Sequence, residues 1–269
     1  MTDYDTQVLA LGPDAYWKLD ESIGLVFADS SGNGHSLTAG SGAVENYRIP
    51  GPSPAQIPYA LDFLNVNPPQ TGLSSVGSYG VGHSFSVEVW LGSVGTIAGN
   101  IGLVTKGYDL TEVRPWWSLG VQTGGVPFFW FRNSAGTDFK LTGYGNVSDA
   151  TYTQRGPFHH LVGTYSGALA DLYVDGVHQV QLAVPNTGWG TGAQNLTLGV
   201  LATTVWGGPW LADVALYPGQ LSAAQVLSNF QLGVQNSPQT LYQLQTSLSA
   251  LSADLDLILA SVRKSYTAP

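Results

Sequence analysis

Cysteine is absent from the 269-residue chain, and charged residues make up only 10% of it. The lack of cysteine excludes disulfide bonds and thiolate metal sites. Lysine and arginine together number 9 against 18 aspartates and glutamates, which gives a formal net charge of −9. Because these few cations do not cluster along the sequence, the chain would repel a phosphate backbone. We therefore expect no nucleic-acid partner.

Long hydrophobic segments are also lacking. No apolar run reaches the length that a bilayer-crossing helix needs. The first residues carry Asp3 and Asp5 where an export signal has basic residues, and they contain no apolar core. We therefore expect neither a membrane partner nor a signal peptide.

Glutamate is scarce, and this bears on catalysis. Enzymes that hydrolyse glycans use paired carboxylates, which lie about 5 Å apart when the enzyme retains configuration. Glu88 lies within a clear strand pattern but has no carboxylate two to four residues away. The chain also lacks a Gly-x-Ser-x-Gly elbow and a glycine-rich phosphate loop. The sequence predicts that the protein is not an enzyme and has no catalytic residues.

Glycine, proline and aromatic residues are abundant instead. The chain contains 34 Gly, 15 Pro, 8 Trp, 13 Tyr and 9 Phe. This composition is typical of many short strands joined by turns around a large aromatic core. We predict three parts: an N-terminal arm over 1–13, a β-domain over 14–235 and a helical segment over 236–269.

The clearest local pattern is FHHLVGTYSGALADLYVDGVHQ, residues 158–179. An Asp175-Gly176 pair between β-branched residues is a strong hairpin signal, because both central residues must adopt positive φ. Leu172 and Val174 share one face of the preceding strand. This stretch resembles the signature hairpin of the laminin-G-like, concanavalin-A-like jelly-roll family.

Further segments resemble that family in the same order along the chain. They are AYWKLDE at 15–21, ADSSGNGH at 28–35, FSVEVW at 85–90, LVTKG at 103–107, LG at 198–199, WLADVALY at 210–217 and LSAAQV at 221–226. In the last segment, Ser222 and Gln225 have the spacing of a helix capping box. The resemblance implies an all-β jelly-roll sandwich, followed by a C-terminal helix of the coiled-coil type.

The C-terminal segment has a heptad pattern. Apolar residues recur at alternating intervals of three and four: Leu241, Leu244, Leu248, Leu251, Leu255, Ile258 and Val262. This a/d spacing predicts self-association, and leucine at a positions favours three or more strands over two. We therefore expect a homo-oligomer, in particular a trimer. The alternative is an amphipathic helix that lies on its own β-domain.

Calcium is the one cofactor that the sequence indicates. Asp29 and the polar turn that contains Asn33 offer the oxygen ligands that this cation prefers. The family resemblance adds Asp213 from the closing strand. The alternative is that Asp29 and Asn33 form an Asx-type turn without a metal. The neighbouring residues His159 and His160 point to opposite faces of a strand, so we interpret them as structural.

Aromatic residues are the candidates for ligand binding. In the run 128–131, alternate side chains face opposite ways, so one pair is core and the other coats the outer face or is itself buried. Trp116, Trp117 and Trp206 lie in Gly- or Pro-flanked stretches, where we expect loops at a sheet rim. Loops on a rigid sandwich commonly carry binding residues.

The opening segment from Val8 to Glu21 resembles minor tail, fibre and decoration proteins of tailed bacteriophages. This resemblance implies a non-enzymatic virion surface protein of the minor tail or fibre type, which would contact other virion proteins and a host surface glycan. Two alternatives stay open: a capsid decoration or head-fibre protein, and a free carbohydrate-binding module of a bacterial system.

Overall fold

The computed structural model describes residues 3–39, 44–63, 73–74, 84–92, 99–107, 116–133, 135–147, 158–185, 196–201 and 209–235. Within those residues the chain forms sixteen strands and two helices. They are α1 (Tyr4–Ala10), β1 (Ala15–Trp17), β2 (Val26–Phe27), β3 (Leu37–Thr38), β4 (Val44–Ser53), β5 (Ile57–Phe63), β6 (Leu73–Ser74), β7 (Phe85–Leu91), β8 (Ile101–Lys106), β9 (Trp117–Gln122), β10 (Val126–Arg132), β11 (Asp138–Thr142), β12 (His159–Tyr165), β13 (Leu169–Val174), β14 (Val177–Ala183), β15 (Leu196–Leu201), β16 (Trp210–Tyr217) and α2 (Ala223–Gly233).

The strands form two antiparallel sheets of eight strands each. Sheet I has the order β14-β13-β12-β7-β16-β5-β4, and β1 pairs with β16 beside this path. Sheet II has the order β11-β10-β9-β8-β15-β6-β3-β2. The two sheets pack face to face, so the predicted all-β jelly-roll sandwich is confirmed.

Alternation along the strands builds the core between the sheets. On β7, Phe85, Val87 and Val89 face inward, as the sequence predicted, and all three are buried. Sheet II meets them from the other side with Trp117 and Phe129 among others. The ring of Phe85 packs against Trp117 with centroids 5.1 Å apart. Such aromatic contacts supply much of the buried apolar surface.

The predicted hairpin is present between β13 and β14. Asp175 and Gly176 both have positive φ, at 51° and 76°. The Asp175 carboxylate accepts a hydrogen bond from the backbone N–H of His160 at 2.9 Å, which ties the turn to β12. The sequence motif therefore fixes three neighbouring strands of sheet I.

Two helices cover the outer face of sheet I. α1 begins after the N-cap Asp3, and its buried residues Tyr4 and Val8 join a second apolar cluster on that face. α2 adds the buried residue Val226. The predicted capping box is formed: Ser222 accepts from the N–H of Gln225, and the Gln225 side chain accepts from the N–H of Ser222.

The C-terminal segment 236–269 lies outside the described residues, and so do the seven apolar positions from Leu241 to Val262 on which the trimer prediction rests. Neither described helix is both long and apolar enough to cross a membrane.

Candidate functional site

The outer face of sheet II is the face that points away from the core. Its side chains alternate with core residues such as Leu119, Phe129 and Leu141. On three adjacent strands they are Ser118, Gly120 and Gln122 of β9, Phe128, Trp130 and Arg132 of β10, and Asp138, Lys140 and Thr142 of β11. Pairing between these strands places Trp130 directly between Ser118 and Lys140.

The Trp130 indole is fixed by a hydrogen bond at its N–H edge. The indole is only partly buried, and its Nε1 donates to Asp138 Oδ1 at 3.1 Å. Arg132 Nη1 donates to both oxygens of the same carboxylate, at 3.0 and 3.2 Å. An indole fixed in this way loses little side-chain entropy when a ligand stacks against it.

Trp116 lies on the same outer face, at the rim. It is partly buried, and its ring lies over Gly107, where an added Cβ would come within 2.7 Å of Trp116 Cγ. Its carbonyl accepts from the N–H of Arg132 at 2.8 Å. Trp116 is two residues from Ser118, the direct partner of Trp130, so the two tryptophans are diagonal neighbours on this face.

Trp117 is not a contact residue, and the prediction for it is wrong. Its side chain is 1% exposed and packs in the core between the sheets. Adjacent residues at the start of a strand face opposite ways, so only one of the two tryptophans can reach the surface. The third predicted residue, Trp206, lies outside the described residues.

Lys140 provides a partly buried cation on this face. Its Nζ donates to Gln122 Oε1 at 2.6 Å and to Asn100 Oδ1 at 3.1 Å, and it lies 4.5 Å from the centroid of the Phe128 ring. Burial lowers the pKa of Lys140, and the nearby Asp138 carboxylate acts in the opposite direction. The two amide oxygens are neutral, so they bind the ammonium without cancelling its charge.

Gly120 and Gly102 allow close packing beneath this face, where a larger side chain would not fit. An added Cβ at Gly120 would lie 2.1 Å from the carbonyl oxygen of Ile101 and 2.8 Å from Cζ of Phe128. An added Cβ at Gly102 would lie 2.1 Å from Thr105 Oγ1. Larger residues would therefore displace the backbone or the side chains beside Phe128.

The three residues predicted to bind calcium do not form a common ligand set. Asp29 Oδ1 accepts from the N–H groups of Tyr16 and Ser31, and Oδ2 accepts from that of His35. The Asn33 amide donates to the carbonyl of Asp14 at 3.0 Å. These bonds describe the Asx-type turn that the sequence left as the alternative.

Asp213 lies at the other end of Tyr16. It is 4% exposed, and its carboxylate contacts the phenol oxygen, whereas Asp29 binds the backbone N–H of the same tyrosine. The described residues contain no group of three or more His, Asp or Glu that could hold a metal. Calcium binding stays a prediction, and the geometry of these side chains does not fit it.

Glu88, the strand carboxylate, lies in a buried network under the helices. Its Oε1 accepts from the hydroxyls of Tyr217 at 2.7 Å and Tyr4 at 3.3 Å. Its Oε2 contacts Asn229 Nδ2 at 2.9 Å and His160 Nε2 at 3.3 Å. Burial alone would raise the pKa of Glu88, but hydrogen bonds and charge from His160, with Asn229 and Tyr217, hold it below its ordinary value.

The two adjacent histidines face opposite ways. His160 is fully buried and stacks on Trp90 with ring centroids 4.7 Å apart. His159 is partly exposed, and its Nδ1 lies 2.7 Å from Asp175 Oδ2. Both therefore have the structural roles that the sequence analysis favoured.

Sequence reasoning missed Arg132, Asp138 and Lys140. A signal was present in DFKLT, residues 138–142, where polar and apolar residues alternate as in a half-buried strand. Trp130 was noted within its aromatic run, but its partners come from a neighbouring strand. Cross-strand contacts of this kind do not show in a local pattern.

Comparisons with known proteins agree with this architecture. The family model described as the concanavalin A-like lectin/glucanases superfamily matches residues 71–227, a span that contains β9, β10 and β11. No curated protein sequence matches the chain.

Several solved structures have a similar fold. The binding domain of Paraclostridial Mosquitocidal Protein 1 superposes with a TM-score of 0.64 at 14% identity, covering 83% of this chain and 52% of that one. The ligand-binding domain of botulinum neurotoxin serotype D, solved in complex with N-acetylneuraminic acid, gives a TM-score of 0.62 at 12% identity, with coverage of 83% and 52%. The chain thus spans about half the length of these relatives, and at such identities the likeness concerns the fold alone.

Proposed function

Since the chain belongs to the concanavalin A-like lectin/glucanase superfamily, we propose that it is a non-enzymatic carbohydrate-binding domain whose binding face is the outer face of sheet II. The observation that carries this proposal is the pair of partly buried indoles, Trp116 and Trp130, set beside charged and amide groups. Sugar rings stack their C–H faces on aromatic rings and form hydrogen bonds at their edges, so they need both kinds of group.

The distribution of carboxylates supports binding without hydrolysis. Glu88 is fully buried, and both of its oxygens already accept hydrogen bonds. Asp138 is the one carboxylate on the outer face of β9, β10 and β11, and Arg132 and Trp130 bind it. Glycoside hydrolysis needs a second carboxylate on the other side of the scissile bond. We therefore expect no release of reducing ends from glycans.

The test is a glycan array probed with the purified full chain and with the double variant Trp116→Ala/Trp130→Ala. Stacking on each ring contributes about 1 kcal/mol or more, so the double variant should lose binding at least tenfold. Tyr144→Ala is the matched control, because Tyr144 is an exposed aromatic residue, 74% accessible, outside these strands. Equal binding by all three proteins would place the site elsewhere.

At a finer level, the protein belongs on the surface of a bacteriophage virion, as a minor tail or fibre-type protein. The resemblance of its opening segment to such proteins supports this assignment. The test is labelling of purified particles with an antibody raised against the chain. Label on the tail is expected, label over the head would favour a decoration protein, and particles without the chain would favour a free carbohydrate-binding module.

Self-association as a trimer completes this proposal, because several copies on one particle would multiply weak glycan contacts. The support is the heptad pattern from Leu241 to Val262. Replacing Leu248 and Leu255 by Asp would place charges in the seam, where their desolvation is costly. Light scattering should then report monomers with unchanged β-sheet circular dichroism. An unchanged mass would mean that this segment does not hold the copies together.

A further inference from the structure

We infer that the outer face of sheet II selects saccharides that carry a carboxylate, and that Lys140 is the residue that binds this group. The inference rests on the proposed carbohydrate-binding function and names the class of ligand that the same face takes. It concerns a single negative charge on a sugar ring, as in a hexuronic or a nonulosonic acid.

The ammonium of Lys140 has hydrogen-bond partners but no counter-ion. Its two acceptors are the amide oxygens of Asn100 and Gln122. Among the described residues, no carboxylate oxygen forms an ion pair with Nζ, and the nearest acidic residue along the strand, Asp138, is bound by Arg132 and Trp130. A partly buried cation without an opposite charge is costly, so an anionic ligand gains free energy by supplying that charge.

The contacts of the Lys140 ammonium fix its position without neutralising its charge. An ammonium has three N–H donors, and the two amides take two of them. The Phe128 ring, 4.5 Å from Nζ, supports the cation from a further side. None of these three contacts is with an anion, so the positive charge stays available to a ligand. Asn100 and Gln122 act as positioning residues, since they orient Nζ without neutralising it.

Trp130 and Lys140 are direct partners across the β10–β11 ladder and project from the same face. Directly opposite side chains begin about 5 Å apart, which is close to the width of one sugar ring. Nζ extends over Phe128 toward Gln122 and Asn100, whereas the Trp130 indole N–H is directed to Asp138. The saccharide that we infer therefore spans the two groups, with a sugar ring on the indole and its carboxylate at Nζ. Arg132 already has Asp138 as its counter-ion, so a ligand carboxylate gains less there than at Nζ.

The net negative charge of the chain favours ligands with an isolated carboxylate over polyanions. A formal net charge of −9 opposes the approach of a long polyanion, whereas a single ion pair acts over a few ångströms. Sulfated or phosphorylated polymers are therefore not the class that we assign. The pair with Lys140 should weaken with added salt, because the site is only partly buried.

The experiment uses an array of oligosaccharides that contain glucuronic, galacturonic or N-acetylneuraminic acid, each printed beside its methyl ester. The ester keeps the shape of the sugar and removes the charge. The full chain should bind at least one acid tenfold or more tightly than its ester. Lys140→Met should reduce that binding to the level of the ester and leave ester binding unchanged, and Lys140→Arg should retain the preference. Circular dichroism and thermal melting establish that each variant is folded.

The Trp116→Ala/Trp130→Ala variant separates the possible failures. If acids and esters bind equally, if Lys140→Met lowers both equally, or if it lowers neither, the carboxylate assignment is overturned. In those cases, loss of all binding in the double tryptophan variant would still support the outer face of sheet II as the carbohydrate-binding face. Binding to none of the printed sugars, acid or ester, would overturn both proposals.

Discussion

Glu88 on sheet I and Lys140 on sheet II both project from the outer faces of the sandwich, but their surroundings differ. Glu88 is covered by α1 and α2, and its two oxygens accept from Tyr4, Tyr217 and Asn229 with His160 alongside. Lys140 has two neutral acceptors and no helix above it that the structure describes.

This difference shows what covering a sheet does to its polar groups. Under the helices, an ionised carboxylate is stable only because several donors replace its water. On sheet II the cation is only partly buried and has no ion-pair partner among the described residues, so an anionic ligand would find its charge unneutralised. This contrast agrees with the proposal that the second face serves recognition, while the first contributes to stability.

The largest difference in the free energy of unfolding is expected between variants of the two adjacent tryptophans at the start of β9. Trp117→Ala should lower the free energy of unfolding by about 4 kcal/mol, because it leaves a cavity among Phe85 and Phe129. Trp116→Ala, at the rim, should lower it by less than about 1 kcal/mol. Urea denaturation of both variants measures this contrast. Similar losses would mean that both rings are structural and that the face is not poised for binding.

The next largest change in the free energy of unfolding is expected for the hydrogen-bond network around Glu88 on sheet I. Glu88→Gln keeps the shape of the side chain but points an amide NH₂ at groups that now donate to a carboxylate. We expect a loss of about 2–3 kcal/mol in the free energy of unfolding, the usual worth of hydrogen bonds to a buried charge. Glu45→Gln, at an exposed position of β4, should change it by less than about 0.5 kcal/mol. Equal stabilities would mean that the network contributes nothing.

A third prediction concerns pH and Asp213. The Tyr16 hydroxyl contacts both Asp213 and Asp5 but has one proton to donate, so one of the two contacts requires a protonated carboxyl. Burial raises the pKa of Asp213 well above its ordinary value of 3.8, opposed by the hydrogen bond from Tyr16. Its contribution to stability is therefore fully present below the ordinary pKa and is lost as pH rises through the raised one.

In Asp213→Asn this dependence is removed, because an amide does not titrate in that range. The stability of the native chain relative to the variant should fall as pH rises above about 4, by at most about 1.4 kcal/mol per pH unit. Denaturation at a series of pH values measures this difference. Glu88, whose pKa is shifted downward, is present in both proteins and cancels. Parallel pH profiles would mean that folding leaves the pKa of Asp213 at its ordinary value.

The smallest change is expected at Asp138 on sheet II. Asp138→Asn keeps an oxygen for Trp130 and Arg132 but removes a negative charge close to Lys140. Stability should change by less than about 1 kcal/mol, since the pair with Arg132 is largely exposed on the Asp138 side. Affinity for a carboxylated sugar should rise about twofold, because a like charge is lost. A fall in affinity for acids and esters alike would mean that Asp138 itself binds the sugar.

The sequence predicted those parts of the fold that local patterns specify. The Asp175-Gly176 turn, the inward face of β7 and the capping box of α2 all follow from residues a few positions apart. Each depends on backbone conformation or on alternation, which a single segment determines.

The site was harder to predict because its residues come from different strands. Lys140 meets Gln122 and Asn100 only after β8, β9 and β11 have taken their places, and no pattern along the chain links these positions. The error at Trp117 was of a different kind. Strand alternation alone excludes two adjacent tryptophans from sharing one surface, but it does not say which of them faces the core.

The pairing of β1 with β16 also has a kinetic consequence. Residues near position 15 find their partners near position 215, so the first strand must wait until almost the whole sandwich has been made. Contacts so distant in sequence slow folding and leave early surfaces exposed during synthesis. We expect nascent chains that end before residue 210 to remain sensitive to protease in a pulse-digestion experiment. Their first two hundred residues should become resistant only once β16 has been added.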